Sequence, residues 1–174
     1  KNYEKVMDEA RAIVKELFEV GDEYEVLYLG GGASLQFAMV PYNLLRENGT
    51  AAYVNTGAWP SKAIKEATLI GNTKVIASSE DKNFNYIPKG YEIPSDADYL
   101  HITSNNTIYG TQMKSLPKCN IPLVCDMSSD IFSRKVNAKD FTLIYAGAQK
   151  NMGPAGSTMV MVKKDALGKT GRKM

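Results

Sequence analysis

Apolar residues recur at every third or fourth position over residues 2–19, with Val6, Ala10, Ile13, Val14, Leu17 and Phe18 on one stripe and Glu4, Lys5, Asp8, Arg11 and Lys15 off it. That spacing predicts an amphipathic helix, and Gly21 is its natural stop. The period then changes. Residues 25–29, 51–54, 73–77, 98–103, 121–126, 141–145 and 158–162 are short apolar runs that read as strands. Two further helical runs fall between the first three of them: residues 35–47, ended by Asn48-Gly49, and residues 59–70, with Pro60 in the first turn. Residues 80–97, where Pro88, Gly90 and Pro94 stand among tyrosines and charges, predict a long irregular connection with at most a short central strand. Helices and strands in alternation predict an α/β layer fold with a mostly parallel sheet. No internal repeat or low-complexity linker interrupts it.

In such a sheet, ligands bind beyond the carboxyl ends of the strands. That rule selects Ala33 and Ser34 after the first strand, the segment from Asn55 to Trp59 after the second, Ser104-Asn-Asn-Thr107, Asp126 and the pair Gln149-Lys150. Gly30-Gly-Gly-Ala-Ser34 lies between a strand and a helix, an arrangement whose free amides and helix dipole suit an anion. A plain tight turn accounts for three glycines as well. The spacing is neither G-x-G-x-x-G nor a P-loop.

Composition narrows the class. The 174 residues are 44% hydrophobic and 23% charged, ordinary for one globular domain with part of a second. Of the net charge of +2, the last dozen residues carry +4, leaving about −2 for the rest, so the body has no basic face for nucleic acid. No apolar run approaches the roughly 20 residues of a membrane span. Cys119 and Cys125 have the spacing of neither a zinc site nor a disulfide framework, and reduced thiols in a cytoplasmic protein are the expectation. His101 lies inside a strand pattern and reads as a core residue rather than a ligand or base. The chain opens on Lys1 and closes on Gly168-Lys-Thr-Gly-Arg-Lys-Met174, a solvated tail; both ends suggest a piece of a longer protein.

Two residues carry candidate chemistry. Lys150 follows one apolar run and precedes another, in a bend made tight by Gly147, Gly153, Pro154 and Gly156. A partly desolvated lysine there is an amine nucleophile able to form a Schiff base with an aldehyde such as pyridoxal phosphate; a solvated loop lysine has the same spacing. Asp126 ends a buried strand, where a carboxylate is costly unless a cation faces it. A protonated pyridine nitrogen is such a cation, and amides of Ser128 and Ser129 are the alternative partners. Trp59, the single tryptophan, either stacks on a flat ring or anchors its helix.

Tyr145-Ala-Gly-Ala-Gln-Lys-Asn-Met-Gly-Pro-Ala-Gly156, with Gly31-Gly-Ala-Ser-Leu-Gln-Phe37, Asn55-Thr-Gly-Ala-Trp59, Ser104-Asn-Asn-Thr-Ile-Tyr-Gly110 and Asp126-Met-Ser-Ser129, resembles the phosphoserine aminotransferases, a branch of the fold-type I pyridoxal phosphate enzymes. The resemblance runs along essentially the whole chain in order. It implies a three-layer α/β/α architecture, with residues 1–174 forming an incomplete cofactor-binding large domain whose N-terminal segment and C-terminal small domain are absent. It further implies that Lys150 forms the Schiff base and moves the proton, that Asp126 pairs with the ring nitrogen, and that Trp59 stacks on the ring. Thr107 would bond the cofactor's oxygen side, and Ala33, Ser34 and Gln149 its phosphate. Some relatives have arginine where Ser34 stands. The implied reaction exchanges an amino group between glutamate and 3-phosphohydroxypyruvate, giving phosphoserine and 2-oxoglutarate for serine synthesis, in a homodimer. The fragment by itself is expected to be inactive. Another class-V aminotransferase, a cysteine desulfurase-like enzyme and a non-catalytic phosphate-binding domain remain as alternatives.

Overall fold

The computed structural model describes residues 2–170. Residues 171–174, the end of the expected solvated tail, lie outside the described residues. The elements are α1 (Asn2–Leu17), β1 (Tyr24–Leu29), α2 (Gly32–Leu44), β2 (Thr50–Asn55), α3 (Ala58–Thr68), β3 (Asn72–Ser78), β4 (Tyr99–Thr103), β5 (Asn105–Asn106), β6 (Thr111–Gln112), β7 (Leu123–Asp126), β8 (Leu143–Gly147) and β9 (Thr158–Lys163). Seven strands form one sheet in the order β1-β9-β8-β7-β4-β2-β3, while β5 and β6 pair separately. Every pairing from β3 across to β8 is parallel, and β9 is antiparallel to both β8 and β1. β9 is therefore the one reversed strand of the described sheet, and β1, β2, β4, β7 and β8 bring their carboxyl ends to one edge.

The strands are apolar at consecutive positions because both faces are covered. Ala52, Val54, Leu100, Ile102, Cys125, Ile144 and Met159 meet Val14 of α1 and Phe18 just after it, together with connecting-segment residues such as Ile87, Tyr91 and Ile93. Tyr53, Tyr99, Val124, Tyr145 and Val160 point the other way, beneath Phe37 and Val40 of α2 and Ala63 and Ala67 of α3. This is the expected α/β/α sandwich with a mostly parallel sheet. His101 is a core residue of β4, as its pattern predicts, 1% exposed with Nε2 2.9 Å from the Tyr145 hydroxyl.

Several expectations shift. The stripe on α1 is real in sequence but only partly buried: Val14 and Phe18 are covered, whereas Val6, Ile13 and Leu17 are exposed. α1 stops before Gly21 is reached. Glu19 takes a positive φ of 53°, its amide bonds Glu16 O, and the Val20 amide bonds Lys15 O, which is the Schellman arrangement with glutamate in the left-handed position. α2 begins and ends three residues earlier than the apolar spacing suggests, because Gly31, at φ 87°, turns the chain straight from β1 into helix. Residues 80–97 contain a 3-10 turn at Glu80–Lys82 and no strand. The β5/β6 hairpin has no apolar run to announce it; two residues per strand are too few to show a period.

Candidate active site

At the carboxyl edge, one pocket is lined by Gly32, Ala33, Ser34, Phe37, Trp59, Thr103, Asn105, Asp126, Ser128, Ser129, Gln149 and Lys150. Six of the seven predicted site residues line it. The seventh, Thr107, lies on the turn between β5 and β6 and reaches it through Lys150, whose Nζ donates to Thr107 Oγ1 at 3.2 Å.

The fold delivers each group by a separate route. β1 ends at Leu29, and after Gly30 α2 starts at once with Gly31 as a cap that carries no side-chain hydrogen bond and no acidic residue in the following turn. Its first amides, at Gly32, Ala33 and Ser34, are thus left for an acceptor from elsewhere. β2 leads through Gly57 into α3, whose second residue is Trp59. A side chain at position 57 would come within 2.8 Å of Asn106 Oδ1, so glycine lets the Trp59 loop close against the β5/β6 hairpin. Asn106 Nδ2 bonds Thr56 Oγ1 across the same seam at 3.0 Å.

Asp126 ends β7 and is 5% exposed. Its Oδ1 accepts from the Ser128 amide at 2.9 Å and the Ser128 hydroxyl at 2.6 Å. The capping reading holds for Ser128, which occupies one oxygen, while Oδ2 has no donor among the described residues. Ser129 does not join the cap; its hydroxyl bonds Asn105 O at 2.9 Å. Burial pushes the Asp126 carboxyl above its ordinary pKa, and the Ser128 hydrogen bonds and the positive charge of Lys150 pull it back.

Lys150 rides on the loop from β8 to β9, together with Gln149. Ser128 joins this loop to the carboxylate, since its Oγ also accepts from the Gly147 amide at 3.1 Å. Asn151 Nδ2 adds a second tie to Ile131 O at 2.6 Å. The Lys150 ammonium stands 5.5 Å from the Trp59 ring centroid. The expectation of a desolvated amine is not met in these residues, where Gln149 and Lys150 are both exposed. Their loop follows the end of β8, and Thr107 and Trp59 meet Lys150 without burying it.

Thr103, Phe37 and Ser128 also line the pocket without having been singled out as ligand-binding residues, whereas Asn105 falls in the strand-end segment 104–107 that the sequence selects. For Thr103 a signal existed, since it ends a predicted strand. Ser128 appeared only as a possible cap of Asp126.

These walls suit pyridoxal phosphate on three observations. Unused helix amides face where a phosphate would sit. A buried carboxylate keeps one oxygen free for a ring N–H, and a primary amine shares the pocket beside a flat aromatic side chain. The donor set contains no carboxylate at the phosphate end.

The chain matches the aminotransferase class-V family over residues 1–173. It is 65% identical over 173 residues to the phosphoserine aminotransferase of Flavobacterium psychrophilum, an alignment covering 99% of this chain and 49% of that one. The solved phosphoserine aminotransferase of Bacillus circulans subsp. alkalophilus superposes with a TM-score of 0.91 at 51% identity, over 94% of this chain and 46% of that one. A pyridoxal phosphate-bound phosphoserine aminotransferase from Trichomonas vaginalis gives a TM-score of 0.86 at 30% identity, over 96% and 48%. The chain spans about half the length of the curated relatives it matches. With the family match running the length of the sequence and the strand-end constellation in place, this chain belongs to the class-V aminotransferases.

Proposed function

We propose that these residues form the greater part of the cofactor-binding large domain of a pyridoxal phosphate-dependent phosphoserine transaminase. The rest of that domain, an N-terminal segment and a C-terminal small domain lie in the remainder of the protein. The observation that carries this reading is the convergence of Lys150 and Asp126 on one pocket whose third wall is the uncapped start of α2.

Pyridoxal phosphate, when bound, supplies an aldehyde that condenses with amines and a protonated ring that accepts electrons from the substrate carbon. The amides of Ala33 and Ser34, the Ser34 hydroxyl and the Gln149 side chain would hold the phosphate. Oδ2 of Asp126 would accept from the ring N–H, and Ser128 fixes the carboxylate from the opposite side. Trp59 would cover one ring face, and the Thr107 hydroxyl would bond the ring oxygen. The Lys150 amine would have two tasks: to hold the aldehyde end of the cofactor, and to carry a proton at Nζ to and from the substrate α-carbon. An amine serves as base only when unprotonated, so closure of the open side by further protein would aid it by removing water.

The substrates in this reading are small anions: glutamate and 3-phosphohydroxypyruvate in one direction, phosphoserine and 2-oxoglutarate in the other. Serine synthesis is the role, the cytoplasm the place and a homodimer the assembly. Neither nucleic acid nor membrane is a partner in this reading; among the described residues no helix is long and apolar enough to cross a bilayer. The 174 residues alone are expected to be inactive or nearly so.

The test is to load the whole protein with pyridoxal phosphate, reduce it with borohydride, digest it and locate the pyridoxyl group. It should lie on Lys150, and Lys150→Ala should lose both the label and transamination. Label on another lysine, or none, rejects the assignment. Turnover of phosphoserine compared with alanine, serine and cysteine then tests the substrate, and preference for any of the last three rejects it.

A further inference from the structure

One hydroxyl in the pocket wall has nothing to bond. Thr103, the last residue of β4, is 3% exposed, lines the pocket and has a buried Oγ1 with no hydrogen-bond partner. Valine has the same shape without the oxygen, so a hydroxyl here is a cost unless something enters the pocket to meet it. The Cα partner of Thr103 across the β4/β7 ladder is Asp126. Residues in register on neighbouring strands share a face, and both of these side chains line the pocket.

Asp126 has acceptor capacity to match. Its two Ser128 donors both go to Oδ1. A carboxylate oxygen has two lone pairs, and a ring N–H uses one of those on Oδ2. The two side chains that follow Thr103 in the chain are committed elsewhere. Ser104 Oγ bonds Asp126 O at 3.1 Å and Asp130 Oδ1, and Asn105 Nδ2 bonds Ser129 Oγ at 2.8 Å.

Resting on the cofactor reading above, we propose that Thr103 is a positioning residue for the cofactor ring: its Oγ1 is not bonded to Asp126 Oδ2 as the side chains stand, and a turn of the Thr103 side chain as the ring enters brings the hydroxyl to donate to Oδ2 while the ring N–H occupies that oxygen's other lone pair. A donor on the carboxylate favours its charged form, so the shared proton stays on the ring nitrogen. The Cγ methyl of Thr103 meanwhile keeps the wall closed to water. Thr103 acts through Asp126 and touches no reacting atom.

The experiment compares binding of two ligands to the full-length protein: pyridoxal phosphate and its 1-deaza analogue, in which C–H replaces the ring nitrogen. Thr103→Val should weaken pyridoxal phosphate about tenfold, the effect of losing one hydrogen bond to a charged group, and leave the analogue within about twofold. Thr103→Ala should show the same ligand-selective loss, and Thr103→Ser should restore binding. Unchanged affinity for pyridoxal phosphate in Thr103→Val, or equal weakening of both ligands, would overturn the proposal and leave Thr103 a wall residue. Failure of the unsubstituted protein to bind pyridoxal phosphate is a separate result, which removes the cofactor reading and this inference with it.

Discussion

Asp126 is a buried carboxylate whose charge is costly unless a cation meets it. Burial raises its pKa despite the two Ser128 hydrogen bonds, so the folded chain binds its proton more firmly than the unfolded chain does. The sign follows from linkage: between the unfolded value of 3.8 and the raised folded value the native state holds more protons, so stability falls as pH rises through that window and stays lowered above it. Without cofactor, Asp126→Asn is therefore expected to raise the melting temperature at pH 7, by about 2–4 °C for each kcal/mol relieved, and to make little difference below pH 3.8. Asparagine keeps an oxygen for both Ser128 donors, so the comparison isolates the charge; with cofactor bound the order should reverse. Ser128 is the complementary case. Its hydroxyl gives to Asp126 and takes from the Gly147 amide, so Ser128→Ala removes one of the two donors on Asp126 Oδ1 and leaves the Gly147 amide without its acceptor. A loss of about 1–3 kcal/mol in urea unfolding is expected, with weaker cofactor binding because the lysine loop and the carboxylate lose their common tie.

Elements differ in how openly their residues announce them. Strands buried on two faces show as unbroken apolar runs, and all seven sheet strands are legible within a few residues because each run is bounded by glycine, proline or charge. Helix ends are harder to read, since backbone geometry sets them. α1 ends on Glu19 in the left-handed region, a conformation that its side chain does not favour and that only coordinates reveal. Replacing Glu19 with glycine should stabilise the chain by about 1 kcal/mol, read by chemical denaturation; the exposed Lys135 ion pair it removes contributes little. Gly31 is the converse. At φ 87°, with Leu35 Cδ2 2.5 Å from where a Cβ would stand, Gly31→Ala should cost at least about 1–2 kcal/mol and weaken anion binding at the amides of α2 that follow it. The stripe of α1 misleads for another reason: periodicity shows which face is apolar but not what covers it, and here Val6, Ile13 and Leu17 are uncovered.

Across the whole molecule, chemistry locates the site where volume does not. A wider groove of about 790 Å³, against about 120 Å³ for the candidate pocket, opens at the other end of the strands among Arg46, Asp98, Lys139 and Lys163. Arg46 and Asp98 there pair with each other at 2.5 Å, and Lys163 Nζ donates to the Lys139 carbonyl at 3.0 Å. The rule that parallel strands present sites at their carboxyl ends makes the right edge readable from order alone, and six of seven expected residues meet there. Thr103 is placed at a strand end by sequence, but its unsatisfied hydroxyl is a property of packing that sequence does not show. Behind that edge, His101 stacks on Tyr53 with ring centroids 5.0 Å apart, and burial lowers its pKa to about 3. The unfolded chain takes that proton near 6.5, so from there down to about 3 it binds one proton more than the folded chain. Stability is then lost as pH falls, with a slope of about 1.4 kcal/mol per pH unit from this residue. Asp126 works in the opposite sense above 3.8, so the two partly cancel in mild acid. His101→Gln in the Asp126→Asn background removes both contributions, and urea unfolding from pH 7 to pH 4 should show that slope flattened relative to Asp126→Asn alone. An unchanged slope would mean that His101 accepts its proton while still folded, and the neutral interior on which the carboxyl edge is built would have to be abandoned.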